Sequence, residues 1–126
     1  MLNVFSIFVG GGIGAVTRYL VGLLYMHVLK INLPAATFCV NLIGCFILGF
    51  LYVLFIEKTQ LSTTLKLALT VGFCGGLTTF STFSLEIFEM VQNLHYIQAL
   101  IYIITSLVLG VLAVFLGGYL CKTFII

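Results

Sequence analysis

One short stretch inside an apolar segment constrains this fold more than any other feature. Residues 71–84 read VGFCGGLTTFSTFS, within a segment that stays largely apolar from Leu67 until Glu86. The adjacent Gly75 and Gly76 loosen the backbone, since each glycine costs roughly 1 kcal/mol of helix propensity relative to alanine. In a membrane, unwound backbone persists only where protein buries it or where it lines a wet cavity. The stretch therefore predicts a transmembrane helix that is broken at mid-membrane, at a permeation or binding site.

The composition places the rest of the chain in a membrane as well. Of 126 residues, 63% are hydrophobic and 6% are charged, and the mean hydropathy is +1.34. A soluble domain of this size cannot bury so much apolar surface. Because a span needs about 20 mostly apolar residues, we predict four spans, at residues 4–29, 33–56, 67–90 and 96–121. The prediction is an all-α membrane protein with a single four-helix transmembrane domain over residues 1–126.

The charges permit two orientations in the membrane. Four spans are too few to enclose much of a pathway, so we expect a homo-oligomer. With an even number of spans, Lys58, Lys66 and Lys122 share one side, while Lys30 lies on the other, with Arg18 towards that end of its span. Orientation follows the Lys/Arg bias between the two sides, and here the bias is slight. The chain is therefore permitted to insert both ways and to pair antiparallel.

The first two spans each contain a polar residue with two interpretations. Arg18 belongs to a series at steps of four, Gly10, Gly14, Arg18 and Gly22, on a face suited to close helix contact. A cation within a span costs at least ~2.5 kcal/mol, so Arg18 either attracts anions at a pore mouth or extends its charge to the interface. Asn41 either bonds across to another helix or, with Thr37 one turn away, donates to a solute in a pathway.

In the third span, two phenylalanines lie beside a run of hydroxyls. Phe80 and Phe83 are three residues apart and project side by side if helix resumes there. Such a pair alone usually indicates packing, but here five hydroxyl residues accompany it: Thr78, Thr79, Ser81, Thr82 and Ser84. Glu86 follows within two turns. It is either a carboxylate at the level of the lipid headgroups or part of the same site.

The polar groups of the spans favour a small anion as the solute. In the fourth span Tyr102, Ser106 and Gly110 fall close to one face, and the first, second and fourth spans contain no Asp or Glu in their interiors. Cation pathways normally carry embedded carboxylates, whereas amide and hydroxyl hydrogens and the positive edges of aromatic rings suit an anion. In a narrow bore, only a small anion exchanges its hydration shell for such sparse contacts. This reasoning does not choose among the halides.

Three motifs together resemble those of the Fluc (CrcB) family of fluoride channels. They are GGIGAVTRY at residues 11–19, NLIG at residues 41–44 and GFCGGLTTFSTFS at residues 72–84. The resemblance covers essentially the whole chain, including its length and the order of the motifs. It implies dual-topology, antiparallel homodimers with two separate fluoride pores. Such passive, multi-pass channels lower cytoplasmic fluoride across the inner (plasma) membrane of bacteria.

The same resemblance implies roles for individual residues. Phe80 and Phe83 would be the pore phenylalanines, whose ring edges contact fluoride, with Asn41 as a nearby donor. The hydroxyl track would comprise Ser81, Thr82, Tyr102 and Ser106. Arg18 would have an electrostatic or structural role. The carbonyls of Gly75 and Thr78 from both subunits would hold a structural Na⁺ on the dimer axis. Gly110 departs from the pattern, because some relatives would carry another hydroxyl there.

Other classes of protein fit the sequence less well. A small multidrug-resistance transporter also has four spans and antiparallel dimers, but it binds cationic drugs through a glutamate in the first span, where this chain has Arg18. A non-transporting scaffold leaves the predicted break unexplained. No nucleophile–base pair or metal set indicates an enzyme. The four cysteines form no Cys-x-x-Cys pair and are expected to be small packing residues.

Overall fold

The structure, a computed structural model, describes residues 1–30, 33–57 and 60–125, and it is helical through nearly all of them. The helices are α1 (Leu2–Leu23, continued by a π-helix at Leu24–Leu29), α2 (Leu33–Glu57), α3 (Thr63–Leu67, continued by a π-helix at Ala68–Cys74 and a turn at Gly75–Leu77), α4 (Phe80–Gln92) and α5 (Tyr96–Ile125). Lys58, which the orientation argument used, lies outside the described residues.

Within the described residues, four helical stretches are long and apolar enough to cross a membrane: Leu2–Leu29, Pro34–Glu57, Thr63–Gln92 and Tyr96–Ile125. The predicted all-α architecture and the number of spans are confirmed. The third stretch begins at Thr63 and contains the apolar span predicted from Leu67. A helix cap sets this start, since the Ser62 hydroxyl accepts a hydrogen bond from the Leu65 amide at 3.3 Å.

The helix α1 packs against α3 through glycines that allow backbone contact. A Cβ atom on Gly10 would overlap the carbonyl of Ala68, and one on Gly14 would overlap the carbonyl of Phe73 and lie 2.8 Å from the Leu77 nitrogen. Such close approach of small residues is a common basis of helix association in membranes. Gly22 continues the same stripe but has no heavy atom within 4 Å of the position of a Cβ. The close contact therefore ends before Gly22.

The helix α2 packs against α5 in a second close pair. A Cβ on Gly49 would overlap the backbone of Val114, and one on Gly117 would overlap the carbonyl of Phe46. Each helix thus contributes a glycine that meets the backbone of the other. The sequence interpretation did not identify this pair of glycines.

Between the two pairs, two residues depart from helical geometry. Thr78 has φ −80° and ψ 157°, and Thr79 has φ −151° and ψ 120°, so both are extended. Before them, the turn Gly75–Leu77 packs on α1, whereas after them α4 packs on α2 and α5. Thr78 and Thr79 therefore carry the chain from one helix pair to the other.

Candidate functional site

The side chain of Asn41 forms hydrogen bonds with both the backbone amide and the backbone carbonyl of the extended residue Thr79. Its Oδ1 accepts from the Thr79 amide at 2.8 Å, and its Nδ2 donates to the Thr79 carbonyl at 3.1 Å. In an uninterrupted helix that amide would bond the carbonyl of Gly75. Asn41 thus replaces a helical hydrogen bond, which is the interhelical interpretation of this residue. An amide NH₂ has two hydrogens, and the Thr79 carbonyl takes one of them.

Arg18 reaches the neighbouring carbonyl from α1. Its Nη1 donates to the Thr78 oxygen at 3.3 Å, and the side chain is half-buried. The guanidinium is thus directed at the extended backbone between α3 and α4, which neither sequence interpretation of Arg18 described. The two extended residues are therefore each bonded by a side chain from a different helix.

Thr79 caps the start of α4, and its hydroxyl contacts the hydroxyls of Ser81 and Thr82. Its Oγ1 accepts from the Thr82 amide at 3.2 Å, donates to the Thr82 Oγ1 at 3.0 Å and lies 3.3 Å from the Ser81 Oγ. Thr79 is buried, whereas Ser81 and Thr82 are exposed in the single chain. Sequence reasoning counted Thr79 among the hydroxyls but did not select it. The preference for threonine at the start of a helix was the signal that pointed to it.

The phenylalanines belong to a longer aromatic row. The ring centroids of Phe80 and Phe83 are 6.0 Å apart, and Phe83 meets Tyr102 edge-on at 5.0 Å. Tyr102 in turn lies 6.5 Å from Phe38, which sequence reasoning did not select. Phe80 is 79% exposed, while Phe83 is half-buried. Most of the Phe80 side chain is thus free of contact with the rest of the chain.

Glu86 is buried between two hydroxyls. Thr37 Oγ1 donates to its Oε1 at 2.6 Å, and the Tyr102 hydroxyl donates to its Oε2 at 2.7 Å. The side chain is 6% exposed, so it is not the solvent-facing carboxylate that a headgroup position implies. Each hydroxyl has a single hydrogen, and here both are used by the carboxylate. Thr37 therefore faces Glu86 rather than acting beside Asn41 as a free donor.

A groove of about 410 Å³ runs between α2, α3, α4 and α5, with a predominantly apolar lining. It brings together six of the predicted site residues: Asn41, Gly75, Thr78, Phe80, Phe83 and Ser106. Gly110, where the sequence lacks a hydroxyl, lines it too. Six further predicted residues do not line the groove: Arg18, Thr37, Ser81, Thr82, Glu86 and Tyr102.

Ser106 is the residue of this groove whose polar atom lacks a protein partner. Its Oγ is buried and has no hydrogen-bond partner within the part of the chain that the structure describes. A buried hydroxyl without a partner is costly.

Comparison with known proteins gives a consistent result over nearly the whole chain. The family model described as "CrcB-like protein, Camphor Resistance (CrcB)" matches residues 5–118. A relative from Azobacteroides pseudotrichonymphae genomovar. CFP2, named "Fluoride-specific ion channel FluC", is 41% identical over 122 residues, covering 97% of this chain and 98% of the relative. Relatives with the same name from Bacteroides fragilis and Gloeothece citriformis are 44% identical over 127 residues (98% and 99% covered) and 46% identical over 123 residues (97% and 98% covered).

Proposed function

Because this chain belongs to the CrcB-like protein family, we propose that it is a fluoride-selective ion channel that passively exports cytoplasmic fluoride, with two pores in an antiparallel homodimer. The relatives bear the name of a fluoride-specific ion channel, not of an enzyme. The membrane would be the inner membrane of a bacterium, which the chain crosses with its four apolar helices.

The observation that carries this proposal is the groove itself, which offers hydrogen-bond donors. Among the residues that the structure describes, its lining contains the amide of Asn41, the unpartnered hydroxyl of Ser106 and the rings of Phe80 and Phe83, but no Asp or Glu. Hydrogens on nitrogen, on oxygen and on aromatic ring edges all carry partial positive charge. Such a lining favours an anion over a cation. A multidrug transporter that binds cations is correspondingly disfavoured.

Each residue then has a distinct role in passing the ion. The second Nδ2 hydrogen of Asn41 and the Ser106 hydroxyl replace part of the water that fluoride loses. The edges of Phe80 and Phe83 stabilise the ion between these donors. Glu86 does not line the groove, because the hydroxyls of Thr37 and Tyr102 bond its side chain inside the helix bundle.

Fluoride efflux from liposomes tests the proposal. Purified protein is reconstituted in liposomes loaded with potassium fluoride. Valinomycin carries K⁺ out to balance the charge of the departing fluoride, and a fluoride electrode records the efflux. We expect rapid efflux of fluoride and, in matched liposomes with a chloride electrode, little efflux of chloride. Efflux no faster than from protein-free liposomes would contradict the function, and equal rates for the two ions would contradict the selectivity.

A second copy of the chain would complete the pathway. The groove is open, since Phe80 and Leu107 line it and are 79% and 62% exposed. An antiparallel arrangement accords with the weak charge bias between the two sides of the membrane. An epitope tag at the amino terminus should therefore be accessible from both faces of the membrane in comparable amounts. Access from one face alone would contradict dual topology.

The same arrangement has ligands suited to a structural Na⁺. The Gly75 carbonyl is released from the Thr79 amide, which bonds Asn41 instead. The Thr78 carbonyl accepts from Arg18 and retains a second lone pair. Carbonyl oxygens suit a hard cation, and Na⁺ would neutralise their partial charge where two subunits meet. These residues therefore fit the ion.

Removal of Na⁺ should weaken the assembly and lower the efflux. We expect a lower thermal midpoint of the detergent-solubilised dimer, and slower fluoride efflux, when N-methylglucamine replaces Na⁺ on both sides of the membrane. Restoring Na⁺ should reverse both changes. An unchanged midpoint together with unchanged efflux would remove Na⁺ from the site.

A further inference from the structure

We propose that the terminal groove, a second cleft between the carboxyl-terminal parts of α2 and α5, binds a phospholipid whose headgroup carries a primary ammonium, of the phosphatidylethanolamine class. The cleft has a volume of about 510 Å³, within the range of small-molecule sites. It shares no lining residue with the groove described above as the fluoride pathway. Binding of a lipid there is therefore independent of which ion the chain conducts.

The two helices that form the terminal groove run in the same direction. They are the second and fourth spans, and the span between them returns the chain to the side from which α2 started. A Cβ on Gly49 would overlap the backbone of Val114. One turn later on both helices, a Cβ on Gly118 would lie 3.2 Å from a methyl carbon of Val53. The order of these contacts agrees with parallel helices in a fixed register.

Opposite charges lie at one end of the terminal groove. One turn beyond the contact of Gly118 with Val53, the same register brings Glu57 and Lys122 level with each other, and both line the groove. Both side chains are exposed. Glu57 is the last residue of α2 and Lys122 lies in the last turn of α5, so the two charges mark the end of the apolar spans. This is the depth at which lipid headgroups begin.

Away from the charges, the terminal groove is predominantly apolar and suits an acyl chain. Gly49 and Gly118, which bring the two helices together, line it with backbone alone. Tyr52 and Tyr119, each 66% exposed, line it from the two helices. Tyrosine is typical of the membrane interface, because it combines an apolar ring with a polar hydroxyl. The lining thus changes from apolar to charged in the direction in which a phospholipid changes from chain to headgroup.

A zwitterionic headgroup with a primary ammonium matches both charges. Its phosphate would accept from the Lys122 ammonium, and its own ammonium would donate to the Glu57 carboxylate. Direct pairing of these two exposed side chains would gain little, so it would not exclude the lipid. A choline headgroup has the same charges but no hydrogen on its nitrogen to donate. A glycerol headgroup has no cation, so its phosphate charge would stay uncompensated beside Glu57.

Quenching of a single tryptophan by brominated lipid measures binding at the terminal groove, because the chain has no tryptophan of its own. Tyr52→Trp places one in the groove. The variant is reconstituted in mixed bilayers of phosphatidylethanolamine and phosphatidylcholine, with each of the two lipids brominated in turn. The two quenching curves give the affinity for one lipid relative to the other. We expect a preference of about five-fold for the ethanolamine lipid, the effect of one exposed charge pair.

Phe5→Trp is the control for the position of the tryptophan. Phe5 is 64% exposed near the start of α1 and does not line the terminal groove. The first span begins on the side where the second one ends, so Phe5 and Glu57 lie towards the same face of the membrane. We expect the two lipids to quench Phe5→Trp equally. A preference of the same size at Phe5→Trp would mean that the ethanolamine lipid is enriched around the whole protein, and would overturn the site.

Glu57→Gln tests the charge in the Tyr52→Trp background. It removes the carboxylate, so the preference for the ethanolamine lipid over phosphatidylcholine should fall below about two-fold. Phosphatidylglycerol, no longer repelled and still attracted by Lys122, should then bind at least as well as the ethanolamine lipid. The matched control is Glu89→Gln, which removes the same charge from an exposed residue outside the groove and should keep the five-fold preference.

Three results at the groove would overturn the proposal. They are equal quenching of Tyr52→Trp by the two lipids, an unchanged preference in Glu57→Gln, and no quenching of Tyr52→Trp by either lipid, which would mean that a second copy of the chain covers the groove. If Tyr52→Trp is not monodisperse by size-exclusion chromatography, Tyr119→Trp on the opposite helix replaces it with the same expectations. Because the measurement is of lipid binding, failure of the chain to conduct fluoride would leave its result unaffected.

Discussion

Replacing Phe83 with isoleucine will lower fluoride efflux by about ten-fold or more while the dimer remains assembled. The Phe83 ring lies between Phe80 at 6.0 Å and Tyr102 at 5.0 Å, and it lines the groove. Its edge hydrogens carry the positive part of the ring quadrupole. Isoleucine fills much of the same volume without that charge distribution. A ten-fold loss corresponds to about 1.4 kcal/mol of stabilisation removed from the passing ion.

The control for this substitution lies on the same helix. Phe88 is 58% exposed and does not line the groove, so Phe88→Ile should conduct as the wild type does. Phe80→Ile should resemble Phe83→Ile, because Phe80 lines the groove and is 79% exposed in the single chain. Size-exclusion chromatography checks assembly for all three variants. Wild-type efflux in both groove variants would exclude the phenylalanines from the pathway.

The helices could be predicted from the sequence, whereas the contacts between them could be predicted only in part. In lipid, the backbone groups of a long apolar stretch can form hydrogen bonds only with one another, which makes the stretch a helix. The four spans therefore follow from composition and length. The glycine stripe of α1 predicted close packing, and Gly10 and Gly14 do meet α3, while Gly22 does not. The spacing of residues shows which of them share a helix face. How far along that face a second helix stays in contact depends on where the two helices cross. For the same reason Gly49 and Gly117, on different helices, were not recognised as partners.

The polar residues show the same limit. Phe80 and Phe83 lie on one helix at fixed spacing, so local geometry was enough to place their rings together. The partners of Glu86 are 49 and 16 residues away in sequence, at Thr37 and Tyr102, and nothing local indicated that both would give it their hydrogens. Three groups selected as separate pathway residues therefore form one internal cluster.

We expect the second large effect at the glycine contacts between helices, where a single added methyl group disrupts the packing of α1 on α3. In Gly14→Ala the new Cβ would overlap the Phe73 carbonyl and approach the Leu77 nitrogen to 2.8 Å. Both are backbone atoms, which no side-chain rotation can move away, so α1 must separate from α3. We expect a loss of at least about 1–3 kcal/mol of stability, as for other overpacked cores.

Gly22→Ala is the matched control for Gly14→Ala, because it adds the same methyl group to the same helix in open space. No heavy atom lies within 4 Å of its Cβ position, and alanine favours helix by up to about 1 kcal/mol over glycine. Its thermal midpoint should therefore equal or exceed that of wild type, while Gly14→Ala falls well below it. Gly14 also lies one turn before Arg18, so a displaced α1 would draw Nη1 away from the Thr78 carbonyl, 3.3 Å away, and lower fluoride efflux. Equal midpoints for the two variants would mean that α1 and α3 do not meet backbone to backbone, and that the Thr78–Thr79 segment is supported in some other way.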